Sequence, residues 1–318
     1  MGELAMSGVH MPWVEDVVFL TDGGIETDLI FNKGAELPLF AAFTLLESSE
    51  GRELLKRYYR EYTPIAAEVG AGFVFESPTW RANRDWAVKL GYDRDRLALA
   101  NVTAMRLLQE LRSEFYDPTK SVLSGCVGPR GDGYQVGETM SASEAHAYHQ
   151  EQVDMLASGG AEMISAITMT YVNEAVGVAR AARSAGLPVA LSFTVETDGL
   201  LPDGTPLGKA VVETDEATSG CSSYFMINCA HPTHFLPVLS PEFGWVERIR
   251  GVRANASRLS HAELDEAAEL DCGDPQEFGQ LYQALRKTFP NVTVLGGCCG
   301  TDARHIRAAA HAAASARF

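Results

Sequence analysis

The sequence predicts a single-domain parallel α/β fold, a (β/α)8 or TIM barrel, from three observations. Short apolar runs alternate with longer helical segments until eight strands are counted. The 318 residues suit one such barrel. Chemistry-bearing residues, cysteines above all, stand where strands end.

The first strand is Val17-Val18-Phe19-Leu20, and Glu50 to Val69 is helical. Phe73 to Glu76 is the second strand, followed by a helix around Asp93 to Phe115. Ser121-Val122-Leu123 leads into Gly125, Gly128 and Pro129. Ser141 with Glu144 three residues on is a capping box for a helix to Ala157. Glu162 to Thr168 is the fourth strand, with a helix from Asn173 to Ser184. Pro188 to Val195, Tyr224 to Asn228, Gly251 to Asn255 and Val292 to Leu295 complete the eight, and a helix from Asp302 to Phe318 closes the chain. Residues 1–16 read as an N-terminal tail and 17–318 as the barrel. Glu196 to Thr214, punctuated by glycines and prolines, reads as a loop on the face where barrels place active sites. The acidic connection from His261 to Glu277 lacks calcium-loop spacing and reads as a solvated face.

Bulk properties exclude several classes. A net charge of -16 argues against nucleic acid and anionic membrane surfaces. No apolar run approaches eighteen residues, and the first fifteen residues, with acids in place of basic residues and no apolar core, are not expected to form a signal peptide. Six cysteines without regular spacing do not make a disulfide scaffold. A cytoplasmic setting is expected, and assembly into a homo-oligomer is compatible with this surface.

Gly296-Gly297-Cys298-Cys299-Gly300-Thr301 carries the chemistry. Adjacent cysteines in a regular strand point to opposite faces, so to converge they must enter a turn, which flanking glycines permit. A second strand ends in Asn228-Cys229-Ala230-His231, just before another helix. Three thiols at the ends of two buried strands fit a three-thiolate Zn2+ site with one open position. A strained disulfide between the paired cysteines is the alternative, disfavoured in a reducing cytosol. Cys126, Cys221 and Cys272 read as lone buried thiols.

Together with Thr21-Asp22-Gly23-Gly24 after the first strand, these motifs resemble the homocysteine S-methyltransferase family over roughly Val17 to Ala314. The resemblance implies a (β/α)8 barrel with Zn2+ on Cys229, Cys298 and Cys299. It implies a substrate thiolate as fourth ligand and a small-molecule thiol and methyl donor as partners. Homocysteine giving methionine is the leading acceptor; another, amine-free thiol and a non-catalytic zinc or thiol binder are the alternatives. No cobalamin or folate module is expected within these residues. Asp22, Gly23 and Gly24 would line the homocysteine pocket, with Asp22 on its ammonium; a helix-capping Asp is the competing reading. Glu26 is a second pocket carboxylate or a surface acid. Thr79 and Trp80 fall in the family's substrate-facing loop, and Thr168 at the end of the fourth strand. Trp80 either covers a cationic methyl donor or simply packs. Asn255 is a weak oxygen ligand to zinc before substrate arrives, or a turn asparagine.

One departure bears on the acceptor. Ile167 stands where many relatives place a glutamate that grips the homocysteine amine. Either Glu26 supplies that carboxylate, or the acceptor carries no amine.

Overall fold

The structure is a computed structural model that describes residues 11–13 and 17–315. Eight parallel strands close in sequence order: β1 (Phe19–Leu20), β2 (Gly72–Glu76), β3 (Ser121–Val127), β4 (Met163–Met169), β5 (Val189–Phe193), β6 (Tyr224–Asn228), β7 (Ile249–Ala254) and β8 (Val294–Gly297). β8 pairs back onto β1 through Phe19 opposite Val294. The expected (β/α)8 barrel is therefore present.

Most buried side chains fall into two sets, as a barrel requires. Phe19, Val74, Val122, Met163, Tyr224, Met226 and Val294 fill the inside. A larger set lies between the strands and the outer helices. The start of the barrel is closed by Trp13, whose ring lies 6.0 Å from that of Tyr224. Thus part of the expected tail packs on the barrel interior; residues 1–10 and 14–16 lie outside the described residues.

The main helices start where local chemistry predicts. The Ser141–Glu144 capping box opens Ala142–Ser158. Ser48 caps Ser49–Val69 through the N–H of Gly51, and Asp93 caps Arg94–Glu114 through that of Arg96.

Two connections differ from expectation. Residues 207–214, read as loop, belong to the helix Leu207–Thr218. Its buried Leu207, Ala210, Val211 and Thr214 recur at helical spacing, and this packing overrides Gly208 in its first turn. After β6 the expected helix is only the single turn Pro232–Phe235. The final helix spans Ala303–Ser315; its expected last residues, 316–318, lie outside the described residues.

Candidate active site

β8 ends at Gly297, and the chain turns at once. Cys298 carbonyl accepts from Thr301 N–H at 3.1 Å and from the Thr301 hydroxyl at 2.7 Å, while Gly300 takes φ +78°. This is the left-handed conformation that glycine adopts freely. A side chain at Gly24 would stand 2.4 Å from the Cys298 carbonyl oxygen, so β1 can approach this turn only with glycine there. Cys229, directly after β6, has φ +52° without being glycine. Such backbone strain costs about 1–3 kcal/mol and persists where surrounding structure enforces it.

The two turns bring three sulfurs together. The Sγ atoms of Cys229, Cys298 and Cys299 all lie within 4.8 Å of one another, and those of Cys229 and Cys299 are 3.7 Å apart. A tetrahedral ion with M–S bonds of ~2.3 Å separates its sulfurs by roughly 3.8 Å, so the donor set fits one such ion. All six cysteines are free thiols. Hydrogen bonds from Cys229 and Cys299 push the Cys298 thiol well below its ordinary range, helped by the Arg253 charge. The Cys298 hydrogen bond pushes Cys229 up. The three thiols therefore lose their protons as one interacting set rather than independently.

Asn255 follows Ala254, whose carbonyl accepts the Cys298 N–H. Its Oδ1 is buried and has no hydrogen-bond partner. A buried oxygen left without a partner is uncommon in a folded protein.

Tyr134 was not anticipated. It arrives on the loop after β3, and its hydroxyl lies 3.1 Å from Cys299 Sγ and 3.6 Å from Cys229 Sγ. Its ring stacks on His261 at 4.0 Å. His261 in turn places Nε2 2.7 Å from the Cys229 carbonyl and Nδ1 2.9 Å from Glu196. The glycine- and proline-rich loop after β5 therefore contributes Glu196 as a brace.

The sulfurs open into a cavity of about 340 Å³ at the carboxyl ends of the strands. Asp22, Gly23, Gly24, Glu26, Trp80, Ile167 and Thr168 line it. Thr79 does not; it is fully buried and gives its hydroxyl to the Cys126 carbonyl at 2.7 Å. Thr168, at φ +67°, exchanges hydrogen bonds with Asn228: its N–H donates at 2.9 Å and its hydroxyl accepts at 2.8 Å. Trp80 donates its indole N–H to the Ile167 carbonyl at 3.2 Å, and the Arg81 guanidinium lies 5.0 Å from its ring. Asp265, Glu269 and Asp271, from the connection read as a solvated acidic face, also line the wall.

The cavity floor is ionic. Arg253 on β7 donates Nη2 to Asp22 at 2.7 Å and Nη1 to Glu76. Tyr58 donates its hydroxyl to the other Asp22 oxygen at 3.0 Å. Burial pushes both carboxyls up and Arg253 pulls them down. Two acids face one base, so the trio carries a net negative charge when ionised. Glu26, half-buried nearby, is pushed up to about 7 by burial, with the charges of Cys298 and Asp22 adding and Arg81 opposing. Sequence reasoning passed over Arg253 and Glu76 as partners. The available signal was an arginine, Arg253, in the middle of an expected buried parallel strand, which demands a buried counter-charge.

A family model for homocysteine S-methyltransferase matches residues 19–313. The homocysteine S-methyltransferase YbgG of Bacillus subtilis is 24% identical over 91% of this chain and 92% of its own length. A methionine synthase of Mycobacterium leprae is 29% identical over 82% of this chain, which spans only 21% of that protein. Among solved structures, the metallated form of the Escherichia coli homocysteine methyltransferase MmuM superposes with TM-score 0.70 at 22% identity, covering 93% of this chain and 96% of that one. Its oxidized form gives 0.72 at 22% identity, with 94% and 99% covered.

Proposed function

This chain belongs to the homocysteine S-methyltransferase family and is a thiol S-methyltransferase, and from that premise we propose that it methylates homocysteine to methionine, using a sulfonium or quaternary ammonium donor. The observation that carries the reading is the sulfur cluster itself. Three converging Sγ atoms stand at the wall of an acidic cavity large enough for two small substrates.

Zinc on Cys229, Cys298 and Cys299, with Asn255 as a weak fourth donor, would turn an ordinary thiol into its thiolate near neutral pH. A new S–C bond forms between the acceptor sulfur and the donor's methyl carbon. The donor's C–S or C–N bond breaks, its electron pair stays on the departing sulfur or nitrogen, and the acceptor's proton passes to solvent. The protein's own work is alignment and charge. Asp22, Glu26 and Glu76 make the cavity attractive to a cationic donor. The hydroxyl of Tyr134 touches two of the sulfurs and holds their side chains in place.

Recognition of the acceptor's ammonium falls to Glu26. Asp22 is already committed to Arg253 and Tyr58, and Ile167 offers no charge to the cavity. That same Ile167 supports a second reading, in which the acceptor is a thiol without an amine. Mass spectrometry on thiol panels offered with S-methylmethionine, betaine or S-adenosylmethionine tests both. Methionine as product supports the first reading, and methylation of amine-free thiols alone supports the second. No methylated thiol from any pair overturns both.

A further inference from the structure

The cavity wall carries two guanidinium groups whose donors are spent differently. Arg253 is engaged through all three of its nitrogens, with Nε on the Gly297 carbonyl at 3.1 Å and its amino groups on Asp22, Glu76 and the Gly23 carbonyl. Arg81 donates Nη1 to the carbonyl of Leu39. Its Nη2 stands 3.6 Å from Asp132, beyond hydrogen-bonding range, and its Nε is buried without a partner.

Nε and Nη2 form the edge of a guanidinium that grips a carboxylate at two points. Arg60 uses this edge on Glu114, at 2.7 and 2.8 Å. Arg248 uses it on Asp215, at 2.6 and 3.0 Å. In Arg81 the same edge has no carboxylate at hydrogen-bonding distance. The group is nevertheless held firmly, 4.0 Å from the Trp86 ring and 5.0 Å from that of Trp80. Its anchor, Leu39, lies in a strap where Leu39 and Phe40 take φ of 51° and 60°, a strained pair of non-glycine residues beside the cavity. A half-buried, oriented cation whose Nε and Nη2 have no hydrogen-bond partner, on a wall otherwise rich in acids, matches an anionic group on an incoming ligand.

We propose that Arg81 anchors a substrate carboxylate through its Nε and Nη2 edge, so that the enzyme selects substrates bearing a carboxylate. The inference rests on the methyl-transfer reading only for what enters the cavity. The carboxylate belongs either to the acceptor thiol or to the methyl donor, and paired substrates distinguish the two. The acceptor pair is 3-mercaptopropionate against 2-mercaptoethanol, and the donor pair is S-methylmethionine against trimethylsulfonium.

Wild type, Arg81→Gln and Arg81→Lys, all zinc-loaded, are compared by kcat/KM and by the Tm shift each compound produces. Wild type should prefer the carboxylated member of at least one pair. Arg81→Gln should lower that preference by about ten- to a hundredfold, the usual worth of a charge-assisted bond. Arg81→Lys, which keeps the charge but loses the fork, should restore part of it. The pair that responds identifies the carboxylate's owner. A wild-type enzyme indifferent to the carboxylate in both pairs overturns the proposal, even if neither variant folds. So does a preference that survives both substitutions. A carboxylate-dependent Tm shift that vanishes in Arg81→Gln, without turnover of any pair, upholds Arg81 and overturns methyl transfer instead.

Discussion

Nη2 of Arg253 lies 2.7 Å from Oδ1 of Asp22, across 231 residues of sequence. The contact ties β7 to the end of β1 and commits the carboxylate expected to hold substrate. Arg253 also donates to Glu76, so one cation is shared between two carboxylates. Removing one partner of a buried ion pair leaves an uncompensated charge and typically costs about 3–5 kcal/mol. Arg253→Met should destabilise by that order in urea titration, since two carboxylates are orphaned. A loss below about 1 kcal/mol would show that the trio contributes little to folding.

The sulfur cluster makes the second prediction. Replacing Cys229, Cys298 or Cys299 by Ala should remove zinc and methyl transfer together, because two thiolates and an open site hold the ion poorly. Zinc is read by plasma emission on the dialysed protein. A Cys298→Ala variant retaining one zinc per chain and normal turnover is incompatible with the assignment.

Tyr134→Phe deletes only the hydroxyl that touches Cys299 and Cys229, keeping the ring that stacks on His261. Groups that orient metal ligands are typically worth ten- to a hundredfold in affinity. Chelator competition should show zinc binding weakened by about that factor, with little change in Tm of the metal-free protein. Unaltered zinc affinity would reduce Tyr134 to a packing residue.

Glu26 makes a prediction about pH. Its carboxyl is pushed up to about 7, so it is largely neutral at pH 6 and ionised at pH 8. Only the ionised form attracts an ammonium, so the preference for homocysteine over amine-free 3-mercaptopropionate should grow across this interval. Taking the ratio of kcat/KM cancels ionisation steps common to both thiols. The ratio should be flat in Glu26→Ala and lower by about ten- to a hundredfold at pH 8. Ile167→Glu should raise it where the native acceptor lacks an amine. A ratio unchanged in both variants rules out either position as the reader of the amine. Stability runs the other way. A carboxyl whose folded value exceeds its ordinary 4.5 stabilises below that value and loses the contribution as pH rises through about 7. Wild type should therefore lose stability relative to Glu26→Gln between about pH 5 and pH 8.

Local patterning was enough to read the barrel. Apolar runs such as Tyr224–Asn228 and caps such as Ser141 with Glu144 act over a few residues, so the sequence displays them directly. The cysteine turns were legible for the same reason: Cys298-Cys299 between glycines cannot be ordinary strand. Helix Leu207–Thr218 was obscured because Pro206 and Gly208 signal a loop, while the packing that overrides them is tertiary. What the sequence alone could not assign was partnership. The sequence does not show that Asp22 has Arg253 beside it, and Tyr134 reads as a loop residue until the fold sets it against Cys299. Glu26 and Arg81 are an ordinary acid and base in sequence; burial at one cavity wall raises the carboxyl of the first and leaves the Nε of the second without a partner. Charge in a folded protein takes its meaning from burial and from its nearest neighbour, and both are set only when distant segments meet.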